Sequence, residues 1–370
     1  MKEKPGLYLH VPFCKSKCPY CDFFSVTSDI RAQEMVQAML VELDHRAGPM
    51  EPFDTVYVGG GTPSSIKPSL LRTLIRGTLD HASPEPTPEI TVEINPADVN
   101  HALLETLQET GVNRISLGIQ SFSDNNLSTL GRRHDSKQAF EAIELIKKKG
   151  FETLGIDLIY GLPGCPHRVW REDLERALSV KPQHLSCYAL TISPTTPFGR
   201  DRSLGLRKFP GDNTLADLFM ETSEILTSSG YIHYEVSNFA TDLDSRSRHN
   251  RKYWQRVEYT GIGPSAHSFA STQRCWNICN VDSYCEQVSK TKTAFMGKEL
   301  ITPKQAYMET VALGIRTSEG VELTILREHG ITDEKLQKLG AMGLIETDNQ
   351  RVRPTIKGFL LADSLAAELT

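Results

Sequence analysis

The sequence predicts an α/β fold, namely a partial (β/α)6-type open barrel followed by a small C-terminal α+β domain. Between about residues 6 and 240, six short runs rich in β-branched and aromatic residues alternate with amphipathic stretches of helical periodicity. Six such units are fewer than the eight of a closed barrel, so we expect the barrel to be open. Functional groups are then expected at the carboxyl ends of the strands.

Each predicted strand is followed by a predicted helix. The strand candidates are LYLHV from Leu7, DTVYVGG from Asp54, EITVEIN from Glu89, RISLGIQ from Arg114, TLGIDLIYG from Thr153 and HLSCYAL from His184. The helix candidates span residues 31–45, 69–81, 101–109, 137–149 and 168–178.

Composition changes after residue 240. The polar, basic run TDLDSRSRHNRKYW from Thr241 predicts a loop, and GIGPSAHSF from Gly261 predicts a further strand and turn. From Thr302 the pattern is helical, and the segment from Gly343 predicts a hairpin and a helix, as in a winged-helix domain. We therefore expect a core over 1–240, a loop and connecting segment over 241–300, and a winged-helix-like domain over 301–370.

Charge and hydropathy exclude several classes of protein. The chain of 370 residues has 41 Lys and Arg against 46 Asp and Glu, so a general role in nucleic-acid binding is not expected. The N-terminus lacks the long apolar core of a secretory signal, and no run approaches the roughly 20 apolar residues of a membrane span. We expect a cytoplasmic protein without an integral membrane segment, whose eight cysteines are metal ligands or buried thiols.

Three cysteines are closely spaced after the first predicted strand: Cys14, Cys18 and Cys21. Three thiolates can hold three irons of a [4Fe–4S] cluster and leave the fourth iron open to a small chelating molecule. A zinc site completed by a residue such as His10 is the alternative, but no second pair of ligands lies nearby. The spacing resembles the CxxxCxxC loop of the radical S-adenosylmethionine superfamily, which implies a [4Fe–4S] cluster, S-adenosylmethionine and that superfamily's open barrel.

Further features of that superfamily follow in order. The run Gly59–Pro63 comes directly after the second strand, where N–H groups unobstructed by side chains could bind the methionyl amino and carboxylate groups. A simple tight turn is the alternative. Glu93 and Asp157 are carboxylates at the ends of otherwise apolar strands, so each needs a partner such as a ribose hydroxyl. A structural ion pair with Arg114 or Arg132 would satisfy them equally.

Four segments carry a narrower resemblance: LYLHVPFCKSKCPYCDFFS, YVGGGTPS, ISLGIQSF and GIDLIYGLPG. Together they are similar to the oxygen-independent coproporphyrinogen III oxidase (dehydrogenase) group over nearly the whole chain. By that resemblance, Tyr8, Gly60 and Glu93 would contact the cluster-bound S-adenosylmethionine. The residues lining a neighbouring region, where the dehydrogenase holds a second S-adenosylmethionine, would be Tyr20, Gly61, Thr62, Gln120, Arg132, Asp157 and Ala189.

Two departures point to a different activity within that group. Phe23 stands where the dehydrogenase has a fourth cysteine, and the first strand begins close to the N-terminus instead of after an extension. Both features resemble the heme chaperone HemW subgroup, which is also marked by a motif HNxxYW, present here as 249–254. The heme-binding candidates from that motif are His249, Asn250, Tyr253 and Trp254, and Arg251 or Lys252 could meet a propionate.

His267 is a further candidate near the active-site end, either as a heme ligand or as a contact to the cluster-bound cofactor, with a structural role as the alternative. The other cysteines show no paired metal spacing, although Cys275 and Cys279 could face one side of a helix.

The resemblance implies a chaperone that binds heme, a [4Fe–4S] cluster and S-adenosylmethionine and transfers heme to an acceptor hemoprotein. An electron donor protein would be a further partner. The alternatives are oxidative decarboxylation of coproporphyrinogen III, and a radical reaction on an unrelated small molecule.

Overall fold

Strands and helices alternate along the chain. The computed structural model describes residues 3–47, 52–81 and 84–370. The elements of the first part are β1 Gly6–Val11, α1 Ala32–Ala47, β2 Phe53–Gly60, α2 Pro68–His81, β3 Pro84–Ile94, α3 His101–Glu109, β4 Arg114–Gln120, α4 Asp124–Thr129, α5 Ser136–Lys149, β5 Thr153–Tyr160, α6 His167–Ser179, β6 His184–Ala189, α7 Pro197–Ser203 and α8 Asp212–Ser228. The remaining elements are β7 Ile232–Glu235, β8 Asn238–Ala240, α9 Arg248–Trp254, β9 Tyr259–Ile262, β10 His267–Ala270, β11 Gln273–Asn277, α10 Val281–Thr291, β12 Phe295–Leu300, α11 Pro303–Gly314, β13 Val321–Glu322, α12 Leu323–Glu328, α13 Asp333–Ala341, β14 Ile345–Thr347, β15 Arg351–Pro354, α14 Ile356–Leu360 and α15 Ala362–Glu368.

The main sheet confirms the predicted open α/β barrel. Its twelve strands run in the order β12-β11-β10-β9-β1-β2-β3-β4-β5-β6-β8-β7. The six predicted strands, β1 to β6, are parallel neighbours in sequence order, and β9 adds a seventh parallel strand beside β1. The order ends at β12 and β7, so the sheet does not close on itself within the described residues.

The two faces of the sheet have different chemistry because successive side chains of a strand point to opposite sides. One row across five strands is apolar and buried under the helices: Leu9, Val58, Val92, Ile115 and Leu154. The adjacent row points into the barrel and is polar or aromatic: Tyr8, Tyr57, Thr91 and Arg114. The helix side therefore forms the core, and the inner side is left for a ligand.

Residues 241–300 differ from the prediction of a loop and a connecting segment. Arg248–Trp254 is a helix, α9, whose first N–H groups are bonded by the Ser247 side chain (3.2 Å to the Asn250 nitrogen) and by Glu89 of β3 (3.0 Å to the His249 nitrogen). A seven-residue helix has too little periodicity to be seen in sequence, and Glu89 is far away along the chain.

The strands β9 to β12 continue the main sheet. Cys275 lies in β11, so the expectation that Cys275 and Cys279 face one side of a helix is wrong. The aromatic and β-branched residues around Cys275 favour a strand, and β11 pairs on both sides with β10 and β12.

The C-terminal part has its own small core and sheet. Strands β13, β15 and β14 form an antiparallel sheet, and helices α11, α12, α13 and α15 pack with it around Val311, Leu326 and Val352. Helix α14 packs instead against the main core through Phe359. The predicted hairpin and following helix are present as β14, β15 and α14. Among the helices in the described ranges, none combines the length and the apolar character that crossing a bilayer requires.

Candidate cluster and cofactor site

A cavity of about 680 Å³ opens inside the barrel and reaches the carboxyl ends of the parallel strands. Its volume is in the range of small-molecule binding sites. The predicted site residues that line it are Tyr8, Cys14, Cys18, Tyr20, Cys21, Gly60, Gly61, Thr62, Glu93, Gln120, Arg132, Asp157, Ala189 and Asn250. Folding therefore gathers side chains from six strands and their loops around one space.

The cysteine loop leaves β1 and is closed at its base by backbone hydrogen bonds. The Cys14 nitrogen donates to the Val26 oxygen at 2.9 Å, and the Val26 nitrogen donates to the Pro12 oxygen at 2.7 Å. Inside the loop, the Cys21 nitrogen donates to the Cys18 oxygen at 3.2 Å. These bonds hold all three thiols on one side of the cavity.

The thiols have polar and cationic neighbours. The Thr62 hydroxyl lies 3.4 Å from the Cys14 sulfur, and Arg132 Nη1 lies 3.6 Å from the Cys18 sulfur. Burial raises the pKa of the Cys21 thiol, and the neighbouring sulfurs act in the same direction. A cation favours thiolates at such a site, and a bound metal would deprotonate them outright.

The glycine run makes a close turn against the cysteine loop. Gly60 has φ +108°, and a Cβ there would lie 2.6 Å from the His10 ring. The Gly60 nitrogen donates to Glu93 Oε2 at 3.2 Å, while the Gly61 and Thr62 nitrogens donate to carbonyl oxygens of residues 11 and 13. These three N–H groups are therefore bonded within the protein in this structure and not free for a ligand, contrary to the expectation.

Glu93 and Asp157 point into the cavity and are held by hydroxyl groups. The Tyr57 hydroxyl donates to Glu93 Oε1 at 2.7 Å, and the Ser116 hydroxyl donates to Asp157 Oδ2 at 2.9 Å. Among the residues that the structure describes, neither carboxylate forms an ion pair with the arginines considered from sequence. Burial raises the pKa of Glu93 to about 7 and raises the pKa of Asp157. Asp157 lies inside β5 and not at its end.

Tyr8 is connected to the cysteine loop through His10. The Tyr8 hydroxyl lies 3.0 Å from His10 Nδ1, and His10 Nε2 lies 3.1 Å from the Phe24 oxygen. Burial lowers the pKa of His10 to about 4, so the ring is neutral at pH 7. With both its nitrogens engaged, His10 positions Tyr8 and is not available as a fourth zinc ligand.

The HNxxYW motif lies at the opposite end of the barrel from the cysteines. His249 is 1% exposed, with Nδ1 2.9 Å from the Thr55 hydroxyl and Nε2 2.8 Å from the Tyr253 hydroxyl. Its ring stacks on Tyr57 at 5.1 Å, and burial lowers its pKa to about 3. In this structure a heme cannot reach His249, because both ring nitrogens are used inside the protein.

The other members of the motif also make internal contacts. Lys252 forms an ion pair with Asp54 at 2.7 Å, and Arg251 forms one with Glu319 of the C-terminal part at 2.9 Å. Neither cation is therefore free for a propionate. Within residues 3–47, 52–81 and 84–370, the buried ring nitrogen of Trp254 has no hydrogen-bond partner. Of this motif, only Asn250 lines the cavity.

His267 begins β10, which lies between β9 and β11 in the main sheet, and it does not line the cavity. Its side chain is exposed, and its ring stacks on Trp276 with centroids 5.9 Å apart. From this position, His267 is not expected to contact a cofactor bound in the cavity.

Comparisons with known proteins identify the family. A model of the radical SAM superfamily matches residues 8–177. The heme chaperone HemW of Lactococcus lactis subsp. lactis (strain IL1403) is 33% identical over 99% of this chain and 97% of its own length. The chain belongs to the HemW family of radical SAM proteins. HemW of Escherichia coli (strain K12) is 37% identical over 71% of this chain and 69% of its own length.

A solved structure of a radical SAM enzyme has the same fold as this HemW family member. Coproporphyrinogen III oxidase (HemN) from Escherichia coli superposes with a TM-score of 0.84 at 24% identity, covering 99% of this chain and 90% of that chain. The similarity extends through the C-terminal part, so the barrel and the C-terminal helices and small sheet form one shared arrangement.

Radical SAM proteins carry a [4Fe–4S] cluster and S-adenosylmethionine, and the cavity of this HemW family member fits both. In the described ranges, no three Cys, His, Asp or Glu side chains converge on one point as around a single metal ion. Thiolates of a cubane cluster bind three different irons and need no such convergence. Partly exposed thiols, a nearby Arg132 and a turn of glycines without side chains suit the cluster and an amino-acid ligand.

Sequence reasoning missed a polar network at the rim of the cavity. Asp98 is buried and accepts hydrogen bonds from Lys15 at 2.8 Å, Arg133 at 2.8 Å and Ser64 at 3.0 Å. It thereby connects the cysteine loop to the segments after β2, β3 and β4. Asp98 follows a turn-forming proline in PAD, a pattern too common to mark a site.

Proposed function

We propose that this chain is a heme chaperone, which binds heme and transfers it to an acceptor hemoprotein. The observation that carries the proposal is the 33% identity to the heme chaperone HemW of Lactococcus lactis over nearly the full length of both chains. Phe23, 69% exposed at the position of the dehydrogenase's fourth cysteine, supports the same choice. A respiratory hemoprotein is the kind of acceptor we expect, with an electron donor protein as a second partner.

We propose that Cys14, Cys18 and Cys21 hold the cluster and that S-adenosylmethionine binds its fourth iron. When bound, the cluster supplies a low-potential electron, whether for redox control or for cleavage of the sulfonium. Tyr8, fixed by the His10 ring, and Glu93, fixed by Tyr57, would orient the cofactor.

The turn beside Glu93 would bind the amino-acid end of the cofactor. Gly60 places no side chain at this position. The cofactor's amino group could therefore approach the backbone and donate hydrogen bonds to carbonyl oxygens of the turn. The neighbouring part of the cavity would be lined by Tyr20, Gly61, Thr62, Gln120, Arg132, Asp157 and Ala189. His267 lies outside the cavity and is therefore not expected to contact the cofactor.

For the HNxxYW motif we propose a different role from heme binding. Its helix, α9, places His249 between the starts of the inner strands, where it contacts Thr55 and Tyr253. Closing this end of the barrel would keep water from the cofactor. If the combined substitution of His249, Tyr253 and Trp254 by Ala abolished heme binding while the iron content stayed normal, this proposal would be wrong.

We also propose a cytoplasmic location. The three cluster cysteines bind iron only as reduced thiolates, and the cytoplasm maintains thiols in that state.

The test of the chaperone function is anaerobic reconstitution with iron and sulfide, followed by titration with hemin and incubation with apomyoglobin as the acceptor. We expect saturable heme binding and transfer at a rate above that of free hemin. A variant with Ser at the three cluster cysteines should lose iron, whereas the control Cys279→Ser, at an exposed cysteine outside the loop, should keep it.

The same preparation separates the enzymatic alternative. Reconstituted protein is incubated with coproporphyrinogen III, S-adenosylmethionine and a reductant, and the vinyl product is measured. Multiple turnovers to that product, without stable heme binding, would make the chain a dehydrogenase and contradict the chaperone proposal. Stimulation of 5′-deoxyadenosine formation by a non-porphyrin metabolite would support the third alternative.

A further inference from the structure

Heme iron in a chaperone needs an accessible ligand, and histidine is the most common one. Five of the histidines in the described ranges are buried: His10, His134, His184, His233 and His249. Two further histidines already have partners: the His329 ring stacks face to face on Tyr307 with centroids 3.7 Å apart, and His167 lies 3.5 Å from Glu221.

His267 differs from these in both exposure and environment. No hydrogen bond ties its ring nitrogens to the part of the chain that the structure describes. Partial burial, and to a lesser extent Arg274, lowers its pKa, which keeps the ring neutral at pH 7 as metal ligation requires. The remaining exposed histidines, such as His101 at the start of α3, lie on helices outside the sheet.

The strand pairing fixes the orientation of this imidazole. His267 pairs with Trp276 of β11, and Trp276 pairs with Gly297 of β12. A Cβ at Gly297 would lie 2.4 Å from the indole, so only glycine lets the indole lie flat on the strand. The indole in turn stacks on the imidazole at an interplanar angle of 25°. The ring is thus held in place while its nitrogens stay accessible.

The surroundings of His267 also suit a porphyrin. His267 is near enough to His10 to lower that residue's pKa, and His10 stacks on Phe24 of the cysteine loop at 6.2 Å. Beyond Trp276, the edge strand β12 carries Met296 and Leu300, whose side chains are 68% and 70% exposed. The strands beside His267 therefore carry Trp276 and exposed apolar side chains that a porphyrin could cover.

We propose that His267 is the axial ligand of the heme iron, at a surface formed by β10, β11 and β12 beside the cysteine loop. This inference rests on the proposed heme-binding function and names the site for it. It also separates the heme from the cofactor cavity, so heme and S-adenosylmethionine can be bound at the same time.

The experiment is a hemin titration of the reconstituted protein, followed by optical and electron paramagnetic resonance spectra. We expect His267→Ala to weaken heme binding at least tenfold and to remove the imidazole-type spectrum, with added imidazole restoring it. His267→Cys should shift the spectrum to the thiolate type. The matched control His101→Ala, an exposed histidine away from the surface, should leave affinity and spectrum unchanged.

Other outcomes would overturn the assignment. An unchanged affinity and spectrum in His267→Ala would do so, as would a thiolate spectrum in the unaltered protein. Loss of the imidazole spectrum in His249→Ala, with its retention in His267→Ala, would assign the ligand to α9 instead. If the unaltered protein bound no hemin, the chaperone function itself would fail, whereas failure confined to His267→Ala would leave that function standing.

Discussion

Glu93 is expected to make the stability of the cofactor-free protein fall as the pH rises. Burial raises its pKa from 4.5 to about 7 in the folded protein, despite the hydrogen bond from Tyr57. Below about pH 4.5 the group is neutral in both folded and unfolded chains and has no effect. Between about pH 4.5 and 7 the unfolded chain ionises first, so the folded state loses stability, and above pH 7 the loss is complete.

The size of this effect follows from the two pKa values. They differ by about 2.5, and each pKa unit corresponds to about 1.4 kcal/mol, so ionising buried Glu93 costs about 3 kcal/mol. Glu93→Gln removes the ionisation while keeping the shape of the side chain. The difference in unfolding free energy between the variant and the unaltered protein should therefore change by about 3 kcal/mol in the variant's favour from pH 4.5 to pH 8.

Urea unfolding of the cofactor-free, reduced protein across this pH range measures the effect. Using only the change with pH removes the constant cost of the altered hydrogen bond at Gly60, which is present at every pH. Glu144→Gln, at an exposed carboxylate on α5, is the matched control and should show no such change. A pH-dependent difference below about 1 kcal/mol for Glu93→Gln would refute the reasoning that burial dominates the pKa of this group.

Three further predictions concern the turn, the rim and the C-terminal contact. Gly60→Ala should weaken S-adenosylmethionine binding at least tenfold in equilibrium dialysis, because its Cβ would strike the His10 ring; Gly164→Ala, also at positive φ but in open space, should bind normally. Asp98→Asn should lower the iron content after reconstitution, and it should lower the unfolding free energy by about 2 kcal/mol, because Lys15 and Arg133 lose a buried anionic partner. A normal iron content together with a normal unfolding free energy would contradict the role given to Asp98. Glu319→Gln should increase hydrogen exchange in α9, because three side chains from residues 246–255 bind this carboxylate, and unchanged exchange would show that the contact does not hold the helix.

The predicted strands and the cysteine loop could be read from sequence because their signals are local. The alternation in RISLGIQ matches the alternating burial along β4, and the helices between the strands show the period of a buried stripe. The spacing of Cys14, Cys18 and Cys21 within one loop likewise depends on no distant residue.

The contacts between distant segments could not be read in this way. Asp98 and Lys15 are 83 residues apart, and Thr55 and His249 are 194 residues apart. The HNxxYW run was expected to be a loop because its sequence is polar, whereas Glu89 and Thr55 of the barrel stabilise it as a buried helix.

By itself, the sequence determined the order of the βα units, because this order follows from local periodicity, and the short spacing of three cysteines predicted the cluster ligands. Only the tertiary structure decided which histidine is accessible. His249 and His267 are equally suitable as residue types. The packing of α9 on the barrel buries the first against Thr55, whereas strand pairing leaves the second exposed beside Trp276. Accessibility depends on what the rest of the chain packs against a side chain, which is a property of the whole fold.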